Sequence, residues 1–431
     1  MPFHSRPRRL AQVALTVALV ALLAACGQNH PESVFHHRTD FNRDVDFLFK
    51  ILIYAGTAVF IFVEGILVLT LIKFRSRPGQ PEPEHVHGNT TLEIAWTVIP
   101  LLILILIGIP TVRTIFKTQA KARSDALQVE VVGHQWWWEF RYPQYTTTEP
   151  NGKVDTVVTA NELYLPIGKT VNFTLHSRDV IHSFWIPALG GKRDVVTNHT
   201  NYLWMTPDST GPDVFNGACA EYCGTSHGNM RFKAFTVTQA DFDSWIAHQE
   251  QPAAGSPQPA ASPAPASQVA GGVAPAAPGA VNAPVVQAGF VAYPRDKVPA
   301  YAIPQTPFPA GLKFDDALLS AGNAENGHKL VTTGMCVACH TIGGEPTMQA
   351  TVGPNLTHVG LRTTIAAGLY PNDPQHLARW IKNANAMKAG VIMPTFGLGE
   401  YDPVTLKGPV KLGGFTDAQI ADIVAYLTSL K

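Results

Sequence analysis

The sequence predicts a multidomain chain: two transmembrane helices, an antiparallel β-sandwich and an all-α domain. Three observations predict it. Two apolar runs of 22 and 19 residues lie at 51–72 and 94–112. From residue 127 the pattern changes to β-branched and aromatic segments with period-two alternation. Beyond a charge-free Ala/Pro/Gly/Ser stretch at 251–286, amphipathic helical patterns take over. A length of 431 residues leaves room for two or three domains. Lys plus Arg and Asp plus Glu number 32 each, so no net field points to nucleic acid or an acidic substrate.

The first element is an address. Arg6, Arg8 and Arg9 precede an apolar stretch that ends in Leu23-Ala24-Ala25-Cys26, so residues 1–25 read as an export signal. The last four residues resemble the lipobox of bacterial lipoproteins, which predicts a mature chain starting at an acylated Cys26. An ordinary signal peptide, with Cys26 incidental, is the alternative.

The hairpin follows at 41–116. Its first run carries one charge, Glu64, and its second carries none, and both reach the roughly 20 apolar residues a bilayer requires. Pro100 and Pro110 can kink the second helix without disqualifying it. Lys and Arg flank both ends of the second run, so loop charge leaves orientation open. Export implies instead that both chain ends lie outside the cytoplasm. Glu64 is costly in hydrocarbon unless it faces protein or water, and the sequence assigns it no function.

The β region, 124–248, is punctuated by turn signals at Pro143, Asn151-Gly152 and Gly190-Gly191. Within it, "CAEYCGTSHGNM" places Cys219, Cys223, His227 and Met230 within twelve residues. Thiolate and thioether sulfur select copper(I), zinc or iron–sulfur clusters, and imidazole suits copper and zinc. Thioether is an unusual zinc ligand. With His182 from an upstream loop, the set exceeds what one blue-copper ion takes. Two thiolates can instead bridge two copper ions, each with one histidine on its outer side.

"CAEYCGTSHGNM", "DVIHSFWIP" and "GHQWWWEF" resemble subunit II of the haem–copper cytochrome c oxidases, over about residues 41–248. The resemblance implies a cupredoxin-like sandwich with a binuclear copper centre, CuA. Its ligands would be His182, Cys219, Cys223, His227, Met230 and the carbonyl of Glu221. The Glu221 side chain would bind Mg2+ shared with subunit I, and Trp136 would be the aromatic through which electrons enter. "LEIAWTVIP" resembles the start of the family's second helix, which puts Glu93 at the mouth of a proton path. Where the family commonly has Pro-Gly-Arg, this chain has Thr197-Asn198-His199, a departure that puts in question any subunit I contact carried by that turn and touches no copper ligand.

Residues 249–312 form a linker, which as a flexible coil would span roughly 33 Å and as polyproline on the order of 110 Å over its charge-free part. The closing domain, 313–431, contains "CVACH", and Cys-x-x-Cys-His is the attachment signature of a c-type haem. Cys336 and Cys339 would bond the porphyrin and His340 would ligate the iron. "GPNL" (353–356) and the "MP" at Met393 resemble class I cytochromes c, which makes Met393 the expected sixth ligand, with Met387 and Met348 as alternatives. Residues 320–331 read as the helix leading into the signature, and Thr416 with Gln419 as a capping box on the last helix.

These readings converge on an electron-input subunit of a terminal oxidase with its donor fused to it. An external carrier, a cytochrome c or a cytochrome bc complex, would reduce the haem. The electron would pass to CuA and on to subunit I, where O2 is reduced to water. Subunit III and membrane lipid are further expected partners, and the inner membrane with both redox domains on the periplasmic side is the expected location. A nitric oxide reductase with CuA is the alternative. A quinol-oxidising relative would lack the copper ligands, and a copper-storage protein would not explain the haem signature.

Overall fold

The computed structural model describes residues 13–20, 33–35, 37–75, 78–79, 87–119, 125–148, 154–208, 211–253 and 289–431. Cys26, most of the export signal and most of the charge-free linker lie outside the described residues.

Two long helices come first, α1 (Asp40–Lys73) and α2 (Thr90–Gln119). Thr39 caps α1 by accepting from the Asn42 backbone N–H (3.1 Å). Both helices are long and apolar enough to cross a membrane, and their apolar side chains are exposed along most of their length. At 1.5 Å per residue, the 34 residues of α1 extend about 51 Å, beyond the roughly 30 Å of hydrocarbon. Pro100 and Pro110 both remain inside α2.

The outer ends of the hairpin are fastened to the sandwich. Asn42 Nδ2 donates to the Pro187 carbonyl (2.8 Å) and the Thr206 N–H donates to Asp40 Oδ1 (3.0 Å). From the other helix, the Lys117 carbonyl accepts from Trp204 Nε1 (3.2 Å), and Lys117 pairs with Asp44 (2.5 Å).

Ten strands make the sandwich: β1 (Leu127–His134), β2 (Trp137–Thr148), β3 (Val154–Ala160), β4 (Glu162–Pro166), β5 (Val171–Ser177), β6 (His182–Trp185), β7 (Arg193–Val195), β8 (Asn201–Met205), β9 (Asp213–Cys219) and β10 (Arg231–Val237). One sheet runs β3-β2-β1-β5-β8 and the other β4-β10-β9-β6-β7. Alternate residues Trp138, Phe140 and Tyr142 of β2 are fully buried, as are Val171, Phe173 and Leu175 of β5. They meet Phe184 and Phe232 from the opposite sheet, with ring centroids 5.1–6.3 Å apart among Trp138, Phe140, Phe184 and Phe232.

Two details differ from the sequence reading. The pairs β1–β5 and β4–β10 are parallel, while the other described strand pairs of the sandwich are antiparallel. Alternating hydrophobicity sets which face is buried and is silent on strand direction. Pro143 is inside β2 rather than in a turn, where the register to β3 shifts between Tyr142 and Thr146. A bulge releases that position from the ladder hydrogen bond proline cannot donate.

Helix α3 (Gln239–Gln249) closes the sandwich, its Trp245 stacked on Tyr164 with centroids 4.3 Å apart. The C-terminal domain is built on α4 (Ala324–Thr333), α5 (Pro374–Lys382), α6 (Ala384–Met387) and α7 (Asp417–Ser429). Helix α4 starts later than the sequence suggests, because Asn323 caps it and residues Asp316–Ala321 form a separate 3-10 turn. The capping box of Thr416 and Gln419 is present on α7. Helices α4 and α7 cross so closely that a Cβ on Gly327 would lie 2.0 Å from the Asp422 carbonyl oxygen.

Candidate metal centre

Strand β6 delivers His182 from one side, β9 ends on Cys219, and β10 starts just after Met230. The loop between β9 and β10 is closed by the Cys219 N–H donating to the Met230 carbonyl (3.0 Å). Cys219 Sγ and Cys223 Sγ are 3.8 Å apart, far beyond the roughly 2.05 Å of a disulfide. Each sulfur faces a different imidazole. Cys219 Sγ is 3.9 Å from His182 Nδ1, and Cys223 Sγ is 3.7 Å from His227 Nδ1. Met230 Sδ lies 3.8 Å from Cys223 Sγ, and the Glu221 carbonyl lies 3.2 Å from Cys219 Sγ. His182, Cys219 and Cys223 offer donor atoms all within 4.8 Å of one another.

The two thiols share one proton. The hydrogen bond from Cys223 pushes the Cys219 thiol down, with burial opposing and His182 assisting, while that same contact and burial push the Cys223 thiol up. Burial works against a charge on His182, but Asp179 and Cys219 outweigh it and raise the imidazole above its ordinary value. The donor set and its division into two sulfur–imidazole pairs fit two copper ions.

Sequence reasoning missed the supports around these ligands. Asp179 Oδ1 lies 2.8 Å from Nε2 of the fully buried His182, turning Nδ1 toward Cys219. Its other oxygen accepts from the Gln135 N–H (2.7 Å), and Gln135 Nε2 donates to the Cys223 carbonyl (2.9 Å). An acid three residues ahead of a candidate histidine was a readable signal for Asp179; Gln135 offers none. Gly133 is required by proximity, since a Cβ there would lie 2.7 Å from His182 Cδ2.

The indole Nε1 of Trp136 also donates to the Cys223 carbonyl (3.0 Å), and the residue is only 9% exposed. Trp138 is a core residue touching His182 edge-on (6.0 Å), and Trp137 stacks on His134 (4.1 Å). The Glu221 side chain is exposed, and Glu93 is exposed in the first turn of α2.

In the helical domain, Cys336 begins the signature inside a 3-10 turn, with Cys339 at its end. His340 Nδ1 lies 2.8 Å from the Pro354 carbonyl, which leaves Nε2 for iron. A Cβ on Gly353 would come within 2.6 Å of the His340 ring, so the "GPNL" loop cradles it. These contacts fit a covalently held haem with His340 as one axial ligand. Of the three candidate methionines, Met348 (0% exposed) and Met387 are buried in the domain core. Met393 is half-buried at the edge of that core.

A sandwich with paired soft ligands, anchored by two apolar helices and carrying a haem-binding helical domain, defines a membrane-bound electron-transfer protein. Family models match each part: the periplasmic domain of cytochrome c oxidase subunit II at 127–237, its transmembrane domain at 38–114, and cytochrome c at 324–431. The chain belongs to the cytochrome c oxidase subunit II family, within an oxidoreductase complex. Cytochrome c oxidase subunit 2 of Bacillus sp. (strain PS3) is 30% identical over 83% of this chain and 80% of its own. That of Alkalihalophilus pseudofirmus is 29% identical over 89% of this chain and 86% of its own. Among solved structures, the periplasmic domain of subunit II of cytochrome oxidase from Bradyrhizobium japonicum is 28% identical, with a TM-score of 0.25 over 30% of this chain and 97% of its own. Membership implies CuA copper, a haem c, subunit I as partner and an electron-input role.

Proposed function

We propose that this chain receives electrons on its own haem and feeds them through CuA to an oxidase that reduces O2 to water in subunit I. The observation that carries the reading is the split of four donors into two sulfur–imidazole pairs around sulfurs 3.8 Å apart. When bound, the copper pair and the haem each take up and release single electrons.

The chain's residues do the holding. Cys219, Cys223, His182 and His227 would hold the copper pair, with Met230 and the Glu221 carbonyl as weaker donors. Trp136, bonded to the Cys223 carbonyl, is the route into the centre. Cys336 and Cys339 would attach the porphyrin, and His340 and Met393 would ligate its iron, a pair that would raise the potential of the haem. The linker holds the haem domain near the copper domain at an effective concentration of roughly millimolar. The exposed Glu221 carboxylate is a candidate for Mg2+ shared with subunit I, and Glu93 for the mouth of a proton path. Subunit III, lipid and an external cytochrome c or bc complex complete the assembly, with both redox domains on the periplasmic face of the bacterial inner membrane.

Cys219→Ser or Cys223→Ser in the loaded protein should abolish the mixed-valence copper absorption and leave the haem spectrum unchanged. Stoichiometric zinc in the wild-type site would overturn the assignment. Oxygen consumption by the purified complex, as opposed to nitric oxide consumption, distinguishes the oxidase from a CuA-containing nitric oxide reductase.

A further inference from the structure

The helical domain sits directly on the tryptophan that leads to the metal centre. Gly390, three residues before Met393, is so close to the Trp136 ring that a Cβ on it would be 3.0 Å from both Cη2 and Cζ3. The neighbouring Lys388, 2% exposed, donates to the Trp136 carbonyl (2.6 Å) and to that of Ala366 (3.2 Å). Ser226, in the metal loop, donates to the Ala389 carbonyl. One segment, 388–390, therefore covers the indole, holds its backbone and grips the metal loop.

A second contact holds the domain in this pose. Glu162, on β4, is 4% exposed and accepts three hydrogen bonds from across the seam. They come from the Thr363 N–H (2.6 Å), the Thr363 hydroxyl (2.6 Å) and the Thr364 N–H (3.2 Å). A carboxylate buried this deeply needs its donors, and these three belong to the other domain. The Arg231 N–H adds a backbone bond to the Ala367 carbonyl (3.1 Å).

We infer that Trp136 is a private port: the chain's own cytochrome domain, latched by Glu162 and seated through 388–390, seals it against external protein carriers. Such carriers reach the copper site only through the tethered haem. This rests on the proposed electron-input role of Trp136 and adds which donor that residue admits. With both groups bound, the exchange would be of one electron from haem to copper, with no bond made and no proton transferred. A glycine at 390 is what lets the segment leading to the axial methionine lie flat on the indole.

The test uses the full-length protein loaded with copper and haem, whose spectra are recorded first. Loss of either chromophore would reject the electron-input reading itself, apart from the port. Hydroxyl-radical footprinting, with tandem mass spectrometry on the peptide containing Trp136, then reports how well the ring is covered. Wild type should be protected, and Glu162→Ala should raise oxidation of Trp136 at least tenfold. Thr363→Val, which removes one donor and no charge, should raise it less, and it serves if Glu162→Ala fails to fold. On mixing with a reduced soluble c-type cytochrome, wild-type copper should bleach only after the haem. Glu162→Ala should add a direct copper phase whose rate rises linearly with donor concentration. Equal oxidation in wild type and both variants, or a direct copper phase in wild type, would overturn the inference.

Discussion

Asp179→Asn isolates the support behind one metal ligand. The carboxylate spans two donors, with Oδ1 2.8 Å from His182 Nε2 and Oδ2 2.7 Å from the Gln135 N–H. It also takes the Val180 N–H on Oδ1 (2.7 Å). An amide of the same shape has a single acceptor. If its oxygen stays on His182, its NH2 group meets the Gln135 N–H, donor against donor. If it turns, His182 loses its anchor. Either way one hydrogen bond to a charged acceptor is lost, costing about 1.5–3 kcal/mol. At about 1.4 kcal/mol per decade this is roughly a 10- to 100-fold fall in copper retention, the range found when a ligand histidine loses its outer carboxylate. Titrating the loaded protein with a copper chelator while following the mixed-valence absorption measures it directly, with the haem spectrum as internal control. An unchanged midpoint would refute the role given to Asp179.

Two other outcomes follow from buried contacts. Gly327→Ala places a Cβ 2.0 Å from the Asp422 carbonyl and 2.9 Å from the Tyr426 Cβ, pushing α4 and α7 apart. A cost of about 1–3 kcal/mol, or roughly 5–20 °C in the melting of the haem domain, is expected by calorimetry, with copper absorption unaltered. His358 is buried 4.8 Å from the His248 ring across the domain seam. Burial, then His248, pushes it down from 6.5 to about 4, with Arg362 lowering it further and the backbone of Lys431 and Gln251 opposing. Burial likewise lowers His248. A depressed value on a base means stability is full above pH ~6.5 and is lost as pH falls toward ~4, by roughly 3 kcal/mol for His358. Melting temperature against pH should show that loss, and His358→Gln should flatten it; an unchanged slope in the variant would sink the assignment.

The chemistry of this chain was more legible in its sequence than its geometry. Cys219, Cys223, His227 and Met230 are close in sequence because one tight loop carries them, so spacing alone exposed the donor set. His182 joins from β6, and only its surrounding residues flagged it. Strand direction was hidden, because an apolar alternation along β1 or β5 is the same whichever way its neighbour runs. Pro143 misled because a bulge and a turn use proline for the same missing donor. The partners that cross the domain seam left no trace. Glu162 and Thr363 are separated by 201 positions, and no local pattern marks a carboxylate whose donors sit in another domain.

The hairpin and the sandwich are clasped at several points: Asn42 to Pro187, Asp40 to Thr206, and Trp204 to Lys117. Such a clasp leaves little hinge, so the orientation of the sulfur-lined loop is inherited from the tilt of the two helices. Whatever grips those helices in the bilayer thereby aims the metal centre from a distance. Slackening Asn42 would let that aim wander while every ligand stayed in place.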